Sequence, residues 1–317
     1  METAENISKK QSKQVTIEGP GLHTGSNGKV TFTRIEAEET CCTFNGSPFV
    51  FPVGSSSTFS FSAENGTIIH YPDSLSLYTP EHLLGTLCGF SRLGLMVQIE
   101  GREVPGMDGS GRNFLECIDR LISFGASKPI VTFKIYESSL QKEYFFSDGY
   151  LKTSPFQGFS VTYIHEQNGM NQHFVFDTDS NTSVEDYLEK IIPSKTFINY
   201  KSFEFCRKKG LLRGVTPQSG MLLFDHPDEF KDFCQKNPRK TGTLVPYQGR
   251  FLFQGQDSEL CPSEYEFALH KILDLLGDLA INGLSLPSLK IVAKNSGHFH
   301  NHLLLKDIIN ERNNTSH

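Results

Sequence analysis

The sequence predicts an α+β protein of two similar halves, and three observations carry the prediction. At 317 residues, with 37% hydrophobic and 21% charged residues, the chain is about twice the length of a common domain and has ample material for a core. In each half, short runs of alternating or β-branched residues come first and the long helical patterns follow, the order of an α+β rather than an α/β fold. The third observation is internal. TPEHLLGTLCGF, LMVQIE, GMDGSG and NFLECIDRL parallel EFALHKILDLLGD, SLKIVA, NSGHFHN and LLLKDII, element for element and with little identity, as a duplication would.

Residues 1–12 form a polar tail without the apolar core of a secretory signal. Residues 13–18 and 29–34 alternate as strands around the Gly-rich turn GPGLHTGSNG, which contains His23, and 41–71 holds short strands and loops. Thr79 suits an N-cap, Pro80 a first helical position and Glu81 the first turn, where the helix dipole favours an anion; this helix extends to about residue 92. A strand over 95–100, the loop GREVPGMDGSGRN and a helix over 113–123 complete a first domain, 13–126. The second domain, 127–312, opens with strands at 128–136, 143–153, 158–164 and 173–177, then a helical stretch at 184–192. Helices at 200–208 and 227–235 flank an apolar strand at 220–224, and 235–262 is loop-rich. A helix over 266–281, a strand over 288–293, the loop KNSGHFHN and a helix to about 312 follow, leaving 313–317 as a frayed tail.

Composition narrows the function. A formal net charge of -6 and the lack of a long Lys/Arg block argue against a nucleic-acid surface. The seven cysteines are scattered, with no C-x-x-C pair, so neither a disulfide framework nor a thiolate metal site is indicated. No run of about 18 apolar residues is present to span a membrane. A monomer in a reducing cytoplasm is the expectation.

The helix over 266–281 is the richest stretch. His270, Asp274 and Asp278 lie four apart, on one face of a largely apolar helix. Imidazole and carboxylate at i and i+4 can converge on one metal ion, although the same spacing also describes an ordinary His–Asp pair on a partly solvated stripe. If the equivalent long helices of the two halves pack face to face, Glu81 and His82 approach His270 and Asp274 at a domain interface. His82, His270 and Asp274 then make a His₂Asp set with a position left for water, the pattern of a catalytic zinc site; ferrous iron suits it as well. Glu81 is placed to take a proton from that water, or serves simply as an anion at a helix N-terminus. His298, after Gly297, can reach the cleft as an acid oriented by Asp278. A rival reading sets His298, His300 and His302 along a strand as a separate cluster; His23 reads as a turn residue.

TPEHLL, VPGMDGSG, PSKTF, HKILDLLGD and NSGH, in this order, with GLHTG near the start, resemble the zinc-dependent UDP-3-O-acyl-N-acetylglucosamine deacetylases of lipid A synthesis in Gram-negative bacteria. The resemblance runs from about residue 13 to 311. It implies two α+β domains with helices sandwiched between two sheets. It makes His82, His270 and Asp274 the zinc ligands, Glu81 the general base and His298 the protonated acid, with Asp278 behind it. Thr196 would steady the oxyanion, Lys271 would face the phosphates of the acylated UDP-amino-sugar, and an insert at about 197–220, including Phe197, would form an apolar passage for the acyl chain. The departures are RGVTPQSGM, Leu269, Pro80, Lys294 and Asn295, which bear on substrate detail and not on the ligand set. They motivate one alternative, a zinc amidase for another acylated amino-sugar nucleotide such as a 3-amide-linked analogue. The other is a non-catalytic homologue that binds a nucleotide sugar or lipid as a regulator. The resemblance also implies work on a lipid precursor, which places the protein peripherally at the inner membrane.

Overall fold

A computed structural model describes residues 14–48, 60–63, 66–71, 74–123, 131–167, 169–216, 218–238, 240, 242–255 and 262–315. The tail 1–12, the boundary expected at 126 and the last two residues lie outside these. The first half runs β1 (Gln14–Pro20), β2 (Asn27–Arg34), β3 (Cys41–Phe44), β4 (Ser47–Pro48), β5 (Ser60–Ala63), β6 (Thr67–His70), β7 (Ser76–Tyr78), α1 (Glu81–Leu87), β8 (Leu95–Glu100) and α2 (Arg112–Ser123). The second begins with β9 (Lys134–Tyr136), β10 (Lys142–Phe146), β11 (Gly149–Pro155), β12 (Ser160–Gln167), β13 (Met170–Asp177) and α3 (Ser183–Glu185), which runs into a π-helical turn (Asp186–Ile191). An added unit follows: β14 (Phe197–Asn199), α4 (Tyr200–Lys208), β15 (Met221–Phe224), α5 (Pro227–Lys236), β16 (Gly242–Tyr247) and β17 (Arg250–Gly255). The chain closes with α6 (Glu266–Ala280), β18 (Ser285–Pro287), β19 (Leu289–Lys294) and α7 (His298–Thr315).

The duplication is written in the sheets. One has strand order β1-β2-β8-β3-β4, the other β10-β11-β19-β12-β13. β8, which follows α1, and β19, which follows α6 and the short β18, enter the middle, antiparallel to the strand on one side (β2, β11) and parallel to that on the other (β3, β12). Period-two alternation turns Val30 and Phe32 of β2, and Ile291 and Ala293 of β19, into one continuous core. The helices lie in that core: Leu83, Leu84 and Leu87 of α1 meet Ile272, Leu273 and Leu276 of α6. Every α6 residue except Lys271 is buried, as expected of a helix apolar nearly all round.

Two glycines set how closely α1 and α6 approach. A Cβ on Gly277 would stand 2.0 Å from the Glu81 carbonyl oxygen, and one on Gly85 would stand 2.7 Å from that of Leu273. The backbones therefore touch where a side chain would hold them apart. This contact brings the first turn of α1 level with the C-terminal half of α6.

Several elements differ from expectation. α1 stops at Leu87, short of residue 92. Thr79 does not cap it: its φ is 51°, a strained region for a β-branched residue, and its hydroxyl donates to Glu103 Oε1 at 3.2 Å. The stretch expected as one strand at 143–153 is the β10–β11 hairpin. The region expected to be loop-rich contains the β16–β17 hairpin, closed by Gln248 and Gly249 at φ 48° and 78°. Both positive values suit a two-residue turn whose twist matches the strands. Pro246 is tolerated because β16 is the edge strand of the order β14-β15-β17-β16. α7 begins at His298 itself and continues through Thr315, so part of the stretch expected to fray is helical. Among the described residues, no helix is long and apolar enough to cross a membrane.

Candidate metal centre and active-site cleft

His82, His270 and Asp274 come together, each offering a ligand atom within 4.8 Å of the others. Asp274 Oδ1 stands 3.3 Å from His82 Nε2 and 3.5 Å from His270 Nε2. That oxygen is buried and makes no hydrogen bond, a costly state for a carboxylate unless a cation occupies the space it faces. His270 Nδ1 is 3.1 Å from the Ser194 carbonyl, which can only accept, so Nδ1 carries the proton and Nε2 keeps its lone pair. Burial holds the His270 pKa down to about 3, which keeps the ring neutral as a ligand must be. Burial would raise the Asp274 pKa, but its charged neighbours, Lys271 foremost, outweigh it and hold the carboxylate well below the usual range. Two imidazoles and one orphaned carboxylate oxygen, all buried, fit a divalent metal of zinc or ferrous type.

Glu81, His298 and Asp278 lie beside this set. Glu81 Oε1 is 4.0 Å from His298 Nε2, and Glu81 Oε2 accepts from the Thr67 amide at 3.3 Å. Burial raises the Glu81 pKa, with His298 and His82 pulling the other way. His298 Nδ1 bonds to Asp278 Oδ2 at 2.9 Å, and its Nε2 stands 3.7 Å from Asp274 Oδ2. Burial would lower the His298 pKa; the carboxylates of Asp278, Asp274 and Glu81 raise it to about 10. Asp278, fully buried, also accepts from Asn301 Nδ2 at 2.9 Å and from the Thr67 hydroxyl. Thr67 and Asn301 were not legible as site residues, because a Thr in a poorly patterned strand and an Asn in a helix carry no spacing signal. With α7 helical from its first residue, His298 and His302 share a face; His302 Nε2 reaches Thr67 Oγ1 at 2.9 Å, while His300 stacks on Phe146 with centroids 3.7 Å apart. The strand-borne triple-His cluster is therefore not formed.

The named motifs act as positioning devices. Glu103, with 0% exposure, accepts from the His23 and Thr24 amides at 2.7 Å each and from the Thr24 hydroxyl at 2.6 Å. Gly21 is required there, since a Cβ would lie 2.2 Å from Glu103 Oε2. Glu103 thus ties the GLHTG turn to the start of α1, which places His23 on the cavity wall rather than in a mere surface turn. Glu103→Ala leaves one buried and one half-buried amide without this partner; the expected loss is about 2 kcal/mol of unfolding free energy, read from urea denaturation. The GMDGSG loop does the same for Thr196, whose amide donates to the Gly109 carbonyl at 2.8 Å. Lys271 Nζ bonds to Asp274 Oδ2 at 2.9 Å and lies 5.4 Å over the Phe197 ring.

Glu81, His82, His270, Asp274 and His298 form one end of a cavity of about 310 Å³ that Thr196, Phe197 and Lys271 also line. From there it runs into the added unit, between Ile198, Leu212, Val215 and Leu222. The sequence model of UDP-3-O-acyl N-acetylglycosamine deacetylase (LpxC) matches residues 9–228 and 256–310, most of the chain. The chain belongs to that family. Among curated relatives of this deacetylase family, the UDP-3-O-acyl-N-acetylglucosamine deacetylase of Thermodesulfovibrio yellowstonii is 26% identical over 295 residues, covering 92% of this chain and 89% of that protein. The protein of the same name from Nautilia profundicola is 27% identical over 308 residues, covering 94% and 92%. A bifunctional enzyme LpxC/FabZ of Chlorobaculum tepidum is 25% identical, with 93% of this chain matching 62% of that longer protein. Membership in the deacetylase family implies a metal-dependent enzyme, and the His82–His270–Asp274 set is where such a metal could be held.

Proposed function

We propose that this chain hydrolyses the 2-acetamido group of UDP-3-O-acyl-N-acetylglucosamine, releasing acetate in lipid A biosynthesis, with zinc held by His82, His270 and Asp274. The carrying observation is the orphaned Asp274 oxygen between two buried imidazoles, on the wall of an apolar cavity. A metal there supplies Lewis acidity to the acetyl carbonyl and brings the pKa of a water to about 7. Everything else falls to the chain. Glu81 takes the proton of the attacking water. His298, protonated and held at Nδ1 by Asp278, faces the developing oxyanion with Nε2 and then gives its proton to the departing amine. Thr196, on the cavity wall, would steady the same oxyanion, and Lys271 with Phe197, also on the wall, would face the sugar-phosphate. The acyl chain enters the apolar added unit, which spans residues 197–255 and so exceeds the 197–220 read from sequence.

The direct test is acetate release from UDP-3-O-acyl-N-acetylglucosamine by protein treated with a chelator and then given Zn²⁺. Loss and recovery of turnover are expected; full activity with no bound metal sinks the reading. A bell-shaped pH profile is the second expectation. The acidic limb belongs to Glu81, active when ionised; burial raises its pKa, and a cation held beside it would pull it back down. The alkaline limb belongs to His298, active when protonated, so activity falls as pH rises through its pKa. That limb should lie below about 10, because a cation on Asp274 cancels part of the charge that raises it.

A further inference from the structure

The family match leaves residues 229–255 between its two blocks. This segment contains most of α5 and the whole β16–β17 hairpin, and it does not stand apart from the cavity. Phe233, Lys240 and Phe253 line the cavity beside Phe203. Phe233 and Phe253 have ring centroids 5.4 Å apart, inclined at 63°, and Phe203 lies 6.1 Å from Phe233 at 67°. Exposure is 3% for Phe203, 1% for Phe233 and 3% for Phe253, so these rings face the cavity and one another, not solvent. Lys240 Nζ lies 5.9 Å over the Phe203 ring.

We propose that Phe203, Phe233 and Phe253, backed by Lys240, form the terminal wall of the passage and set the longest acyl chain the protein accepts. The proposal rests on the deacetylase reading above and adds the residues that fix its substrate range. Two of the three rings, and the lysine, come from the segment that lies between the two blocks of the family match. Each methylene buried along Ile198, Leu212 and Val215 raises affinity by about fourfold. The gain ends at the rings. A longer chain must part an interlocked aromatic set and bring an alkyl end against an ammonium that would lose its water.

The test measures binding of saturated fatty acids of ten to eighteen carbons to the full-length protein by titration calorimetry. In parallel, acetate release is measured from the matching UDP-3-O-acyl-N-acetylglucosamine series. Wild-type affinity should climb with length and then break. In Phe233→Ala and Phe253→Ala the break should move out by at least two carbons, with affinities of shorter chains unchanged. Lys240→Met, which removes no core volume, should tighten only chains beyond the break, and it serves if the alanine variants fail to fold. An unmoved break in folded variants, an equal loss at every length, or no length dependence in the wild type overturns the proposal. A clear break with no acetate released overturns the deacetylase reading instead and leaves the wall assignment standing.

Discussion

Glu81→Gln should keep its metal and lose at least about a hundredfold in kcat. The substitution is isosteric, so the Thr67 amide retains an acceptor where Glu81 Oε2 now stands, and α1 has no reason to move. Only the capacity to take a proton is removed. His298→Gln should cost a similar factor by a different route, because Gln cannot deliver a proton to an amine or place a cation against an oxyanion. The two variants separate in their pH profiles: Glu81→Gln should lose the acidic limb and His298→Gln the alkaline one. Metal content by emission spectroscopy, alongside steady-state kinetics, decides the matter. Wild-type turnover in either metal-loaded variant would remove that residue from the mechanism.

Gly277→Ala should lower stability and activity together, against the expectation from helix propensity. In a helix interior, Ala in place of Gly stabilises by about 1 kcal/mol. Here the new Cβ would lie 2.0 Å from the Glu81 carbonyl oxygen, far inside contact distance, and both helices are embedded in the core. Such overpacking costs about 1–3 kcal/mol. Relief requires α1 and α6 to part, which carries His82 and Glu81 away from His270 and Asp274. A displacement of about 1 Å at reacting groups can cost a hundredfold in rate. Thermal unfolding and zinc affinity by equilibrium dialysis check this. A variant with raised Tm and unchanged metal affinity would show that the helices do not meet at Gly277. Gly85→Ala, facing the Leu273 carbonyl at 2.7 Å, should give a weaker form of the same effect.

How much of this was legible in the sequence depended on periodicity. The α6 stripe of His270, Asp274 and Asp278 is a local signal, since residues four apart share a face wherever a helix forms, and α6 forms as expected. The parallel between the halves was legible as order of elements, and the two sheets repeat it strand for strand. The pairing of His82 with His270 is non-local; it needed the duplication to suggest it and Gly85 and Gly277 to allow it. The β16–β17 hairpin was missed because Pro246 and a polar turn disguise the alternation in TLVPYQGRFLF, although the QG step between two such runs was a usable clue. Glu103 was missed for another reason: a carboxylate that gathers backbone amides from a distant turn leaves no spacing pattern of its own.

The repeated sheets carry one more consequence. Each copy holds only part of the ligand set, His82 in one and His270 with Asp274 in the other, on the helices that meet at the seam. A bound ion would therefore act as a clasp. Opening either copy, or sliding one against the other, releases it, so ion binding favours only states in which both are folded and docked. By linkage, an ion at a hundred times its dissociation constant adds about 2.7 kcal/mol to that joint state and nothing to a half-folded one. Loading the site should thus raise the temperature at which the two copies, already joined through one core, melt together, and stripping it should lower that temperature.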